Sequence, residues 1–151
     1  MWYTIKTRHT ITAEGGEDKV VTDLFLVEAL SIFEALSIFE AYDTYTQHIE
    51  PYLIDAETLA ISKYDVQEVI NSNTDADKWY RYDLRMITID ERTGKERKQP
   101  YAMLINANNT DDARTIYNKV MSKSVVDYEI KKIAETKIVE VIGNTLNADE
   151  L

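Results

Sequence analysis

Apolar and polar residues alternate from the start of the chain. Tyr3, Ile5, Thr7, His9 and Ile11 recur at every second position, which places them on one face of a β-strand. The alternation returns at Tyr80, Tyr82, Leu84 and Met86, where Ile87 and Ile89 shift its phase as a β-bulge would. Each run opens on a Trp-Tyr pair, Trp2-Tyr3 and Trp79-Tyr80, and ends in a glycine-containing polar segment, residues 13–18 and 90–95. Glycine accepts the positive φ of hairpin turns, so return strands are predicted over 20–27 and 101–105.

A strand-to-helix transition follows in each half. Val27 to Ala35 aligns without a gap on Ile105 to Ala113, with Ser31 and Asn109 as helix N-caps and Glu34 and Asp112 at the capping-box position. Third strands are predicted over 59–64 and 128–133, and closing segments over 66–70 and 138–142. Five matches in one order describe a repeat. The expected fold is α+β: two tandem strand-strand-helix-strand repeats related by a pseudo-twofold, with mainly antiparallel sheet. The first repeat is 1–70, the linker 71–78, and the second repeat with its C-terminal tail 79–151, together one compact body.

One copy departs from the other. Glu28 to Phe33 and Glu34 to Phe39 are the same hexapeptide, Glu-Ala-Leu-Ser-Ile-Phe, a local duplication expected to lengthen the first helix or loop out of it. The hexapeptide accounts for six of nine residues by which the first half exceeds the second between helix cap and third strand. The second helix carries a single apolar stripe at Ala113, Ile116, Tyr117, Val120 and Met121. The same register on the first gives Ala35, Ile38, Phe39, Tyr42 and Ile49, leaving Ile32, Phe33 and Leu36 over as interface candidates. Six residues turn a helix by about 600°, so the two copies face different directions.

These residues also carry a family resemblance. Met1-Trp2-Tyr3-Thr4-Ile5-Lys6, Trp79-Tyr80, the hairpin Asp90-Glu91-Arg92-Thr93-Gly94-Lys95-Glu96, and Asp127-Tyr128-Glu129-Ile130 with Ile133-Ala134-Glu135-Thr136 resemble the domain-of-unknown-function family numbered 4494. That family occurs in Bacteroidetes, their bacteriophages and their mobile elements. The resemblance covers nearly the whole chain and implies a phage or mobile-element setting; it brings no catalytic residues with it. The doubled hexapeptide departs from the family pattern.

Composition narrows the function. The 151 residues are 44% hydrophobic, contain no cysteine and carry a net charge of −10. The charge disfavours duplex DNA, where phosphate contacts dominate affinity. The missing cysteine excludes thiol chemistry and fits a reducing cytoplasm. Neither a signal peptide nor a membrane-spanning run is visible. The expected location is the cytoplasm, that of the host for a phage-encoded protein, with virion association as an option. Residues 1–77 hold four bases against fifteen acids, a balance of −11, and residues 78–151 hold thirteen against twelve, +1. Exposed charge contributes little, so a merely acidic, soluble surface is the preferred reading over an orienting field.

Candidate chemistry is thin. His9 and His48 have no accompanying catalytic motif and read as structural. Asp75 with Asp77, and Asp111 with Asp112, lack metal-ligand spacing, and no cofactor is expected. One possible basic and aromatic contact surface joins Arg92, Lys95, Arg97 and Lys98 to Trp79, Tyr80 and Tyr82, since strand aromatics beside bases can stack nucleobases. The function expected is that of a non-enzymatic accessory protein working through protein contacts, as a homo-oligomer. The alternative is a small-ligand or nucleotide-binding protein of counter-defence.

Overall fold

The computed structural model describes residues 1–72 and 75–150. Strands β1 (Trp2–Thr12) and β2 (Asp18–Glu28) lead into helix α1 (Glu34–His48), then β3 (Ile54–Tyr64) and β4 (Glu68–Asn71). Next come β5 (Lys78–Ile89), β6 (Glu96–Ala107), helix α2 (Thr110–Met121), β7 (Asp127–Glu135), β8 (Ile138–Ile142) and the short β9 (Leu146–Asn147). The fold is α+β, with two mixed, mostly antiparallel sheets. Of the linker expected at 71–78, Asn73 and Thr74 lie outside the described residues, while Asn71 closes β4 and Lys78 opens β5.

The chain forms two compact units, and their boundaries differ from the expected 1–70 and 79–151. One comprises Met1–Asp65 and Lys137–Asn144; the other comprises Val66–Thr136 and Thr145–Leu151. Two strands change places to make them. In the first unit the sheet order is β3-β1-β2-β8, so its fourth strand comes from the C-terminal half. In the second the order is β7-β5-β6-β4-β9, so β4 comes from the N-terminal half. Both closing strands run parallel to their neighbour, β8 to β2 and β4 to β6. A parallel neighbour cannot be reached by a tight turn, and each half supplies it to the other.

Registers coincide across the units. Tyr3 faces Val27 and Lys63; Tyr80 faces Ile105 and Glu135. Each outer pairing carries a register shift at the matching place, between Lys6 and Thr7 and between Asp83 and Leu84. The second irregularity therefore involves the β5–β7 pairing; β5 and β6 pair without a shift, contrary to the phase change at Ile87 and Ile89. Glu68-Val69-Ile70 lies beside Met103-Leu104-Ile105, and Glu140-Val141-Ile142 beside Phe25-Leu26-Val27. Matched this way, Ile61 corresponds to Ile133, not Ile130. The nine-residue surplus then shrinks to six, the length of the hexapeptide.

One helix covers one face of each sheet. Tyr3, Ile5, Phe25, Val27 and Ala29 pack under Ala41, Tyr45 and Ile49 in the first unit. Tyr80, Tyr82, Leu84, Met103, Ile105 and Ala107 pack under Ala113 and Tyr117 in the second, with Ile116, Val120 and Met121 at the margin. The α2 stripe is thus the expected one. Of the α1 register only Ile49 is buried as expected: Ser37, Ala41 and Tyr45 join it, whereas Ala35, Ile38, Phe39 and Tyr42 are exposed. The sheet-facing alanine–tyrosine pair, Ala41 with Tyr45, sits one hexapeptide beyond the position that gap-free alignment assigns.

Candidate interaction surfaces

The two hexapeptide copies adopt different structures. The first finishes β2 at Glu28 and then forms an irregular loop; the second opens α1 at Glu34. Ser31 is therefore not the helix cap. Phe33 holds that position and gives no side-chain bond. Ser31 Oγ instead accepts from the Phe33 N–H at 3.3 Å. The Glu40 carboxylate, just after the second copy, accepts from Leu30 N–H at 2.9 Å and Ser31 N–H at 3.0 Å. Glu40 folds the loop back along its own helix. Met1 and Ala29 bond each other's backbone at 2.8 Å and fix the loop's other end.

That arrangement leaves an apolar ridge in water. Ile32 is 84% exposed, Phe33 64%, Leu36 60% and Phe39 73%, with Leu30 beside them. Leu36 and Phe39 lie about 60° apart around the helix, away from the buried Ser37, Ala41 and Tyr45. The three interface candidates are thus all at the surface. Phe39, expected in the core, joins them.

The basic hairpin and its aromatic strand are not brought together. Arg92, Lys95, Arg97 and Lys98 are exposed around the β5–β6 turn. Trp79, Tyr80 and Tyr82 are 6%, 3% and 1% exposed. No ring of the expected stacking platform is open to a nucleobase, because β5 is a central strand whose aromatics fill the interior. Lys98 Nζ donates to Glu129 Oε2 at 3.0 Å. That bond and the lysine's charge hold the Glu129 carboxyl below the usual range.

Of the remaining polar candidates, His9 and Asn109 have structural partners. Buried His9 meets Asp23 Oδ2 through Nε2 at 2.7 Å, and His48 lies exposed in the last turn of α1. Asn109 caps α2 as expected, its Oδ1 accepting from Asp112 N–H at 2.8 Å. Among the described residues, no three His, Asp or Glu side chains gather as metal ligands. No helix among them is long and apolar enough to cross a membrane.

A cleft that no sequence pattern announced lies in the second unit. Its volume is about 240 Å³, and its lining includes Glu68, Tyr101, Tyr128, Val120, Met121 and Lys123. The Tyr101 and Tyr128 rings are 5.3 Å apart and tilted by 57°. Burial, and then the hydrogen bond and charge of Glu68, push the Tyr101 phenol well up. Burial and the same carboxylate raise Tyr128. Deeper in, Tyr82 and Tyr117 stack at 4.8 Å, and burial raises both. Glu68 reaches this cleft only because β4 is inserted into the second sheet, so local pattern held no signal for it.

No curated protein and no solved structure matches the chain. One family model, described as Domain of unknown function (DUF4494), matches residues 1–144. The match takes in well over half of the chain, and the chain belongs to the DUF4494 family.

Proposed function

We propose that this protein is a non-enzymatic accessory protein of a phage or mobile element that acts through protein–protein contacts as a homo-oligomer. The observation that carries this reading is the exposed ridge of Ile32, Phe33, Leu36 and Phe39. Each such side chain forgoes roughly 1.5–3 kcal/mol when left in water, and clustered apolar surface marks contact sites. The partner is a second copy of the chain. A twofold contact sets the same patch against itself, and a ridge built from one helix turn and its adjoining loop suits that geometry. The burial of His9, with its ring held by Asp23, supports a structural role for the histidine. The host cytoplasm, free or in association with a virion, is the setting in this reading, and the absence of cysteine is in keeping with it.

Changing Phe33 and Leu36 together to Lys tests the reading. Light scattering should show a wild-type oligomer and a variant monomer, with circular dichroism unchanged. A wild type that stays monomeric at every concentration, or a variant with its oligomeric state intact, refutes it.

A further inference from the structure

The cleft of the second unit has a charge and a shape that select one class of ligand. Its floor is built from three strands, with Glu68 from β4, Tyr101 from β6 and Tyr128 from β7. Val120 and Met121, in the last turn of α2, form the wall. The two rings meet at 57° and make the corner of a box. Electron-rich ring faces attract cations. Glu68 is half-buried, and among the described residues no basic side chain lies within ion-pairing distance of it. Its neighbour in the cleft is the Tyr101 phenol, an uncharged group, so among the described residues no salt bridge offsets the carboxylate. The carbonyl end of α2 adds negative potential on the same side.

The wall decides which cation fits. Val120, Met121 and Leu146 offer methyl and thioether contacts, and the Ser124 hydroxyl of the lining already donates to the Val126 carbonyl at 2.9 Å and accepts from its N–H at 3.2 Å. A cation that carries its charge on methyl groups loses little hydration there and gains apolar contact. The volume of about 240 Å³ is several times the roughly 30 Å³ of a liquid water, room for a methylated headgroup. Lys123 lines the cleft as well, but its side chain is exposed and its charge is screened by water and salt.

The matching position in the first unit is built differently. The position matching Tyr101 is Asp23, opposite Thr7 as Tyr101 is opposite Leu84. Asp23 is bound to His9, and Glu140, the match to Glu68, is exposed. The same sheet position is closed by an internal pair in one unit and left open in the other.

We infer that the Glu68–Tyr101–Tyr128 cleft binds a quaternary ammonium group, carried by a free small molecule such as choline or by a trimethylated lysine side chain. Titration of the isotopically labelled full chain with choline chloride, followed by amide NMR, tests this directly. Saturable shifts should centre on Glu68, Tyr101, Met121 and Tyr128. The neutral isostere 3,3-dimethylbutan-1-ol and sodium chloride should not reproduce them. Glu68→Gln should weaken binding roughly tenfold with the remaining spectrum in place, and Lys123→Ala should tighten it. A trimethyl-lysine peptide that binds more tightly than choline, with its unmodified form inert, would identify a protein-borne ligand; choline binding more tightly would identify a small molecule. Equal response to the neutral isostere, wild-type affinity in Glu68→Gln, or no saturable shift with either cation overturns the inference. The oligomeric state plays no part in this readout, so it stands or falls separately from the ridge.

Discussion

In the second unit the chain leaves β6 at Ala107 and enters α2 at Thr110, with Asn109 capping the helix through its side chain. In the first it leaves β2 at Glu28 and enters α1 only at Glu34, through a loop with no side-chain cap at Phe33. The sheet registers before and after the two junctions match, so the six inserted residues are absorbed locally. Identical Glu-Ala-Leu-Ser-Ile-Phe segments end as strand and loop in one place and as helix in the other. The hexapeptide has no fixed structure of its own; the segments flanking it decide. The first copy ends β2 and seats Ala29 in the core just beyond it, whereas the second precedes Ala41 and Tyr45, which anchor α1 to the sheet.

The same contrast appears where the exchanged strands end. After β8, Gly143 has φ +153, and a Cβ built there would lie 2.5 Å from Glu28 Cβ and 2.6 Å from the Trp2 ring. After β4, the corresponding fastening is polar. Asn106, the match to Glu28, accepts from Ser72 Oγ at 2.9 Å and donates to the Ala76 and Lys78 carbonyls at 2.9 and 3.0 Å. Gly143→Ala should have the largest effect, about 1–3 kcal/mol of stability lost, because the crowded side is backbone-proximal and cannot yield cheaply. Denaturant unfolding measures it; an unchanged midpoint would show that β8 is held without that close approach.

A smaller effect separates the helix starts. Asn109→Ala removes a real cap and should cost about 1 kcal/mol. Ser31→Ala, at the position aligned with it, should change stability by under roughly 0.5 kcal/mol, since Ser31 caps no helix. Equal losses at both sites would mean that the junctions are alike after all.

The smallest effect lies at the hairpin turns, acidic in the first unit and basic in the second. Glu129 is depressed by Lys98, and a carboxylate with a lowered folded pKa stabilises above its unfolded pKa and loses that contribution as pH falls through the folded value. Lys98→Ala should therefore raise the Glu129 pKa, as read by NMR titration. Its slight stability deficit should appear only above the ordinary carboxylate range and vanish in acid and in high salt. A deficit that persists in acid would assign Lys98 a packing role.

Much of the architecture was legible from residue order. Period-two alternation located β1 and β5, turn-forming segments located both hairpins, and the α2 stripe from Ala113 to Met121 identified its buried face. The α1 register was misread at Phe39 because a duplicated segment offers two equally good alignments, and only burial of Ala41 and Tyr45 chooses between them. Trp79, Tyr80 and Tyr82 suggested a binding platform for a similar reason: an aromatic strand looks the same in sequence whether its face meets solvent or a helix.

By itself, then, the sequence determined the main strands and helices and their order, because periodicity and turn chemistry act over a few residues. Tertiary structure alone decided which sheet each Glu-Val-Ile strand completes. The two triplets are identical, and β2 and β6 offer them equivalent parallel edges, so nothing local distinguishes one destination from the other. That choice puts Glu68 beside Tyr101 and Tyr128, thirty-odd residues and more away along the chain, and so creates the cleft. It likewise decided that one hexapeptide copy is helix and that its apolar side chains stand in water: Phe33 and Phe39 end the two copies, yet neither finds a place in a core that Ala41, Tyr45 and Ile49 already fill.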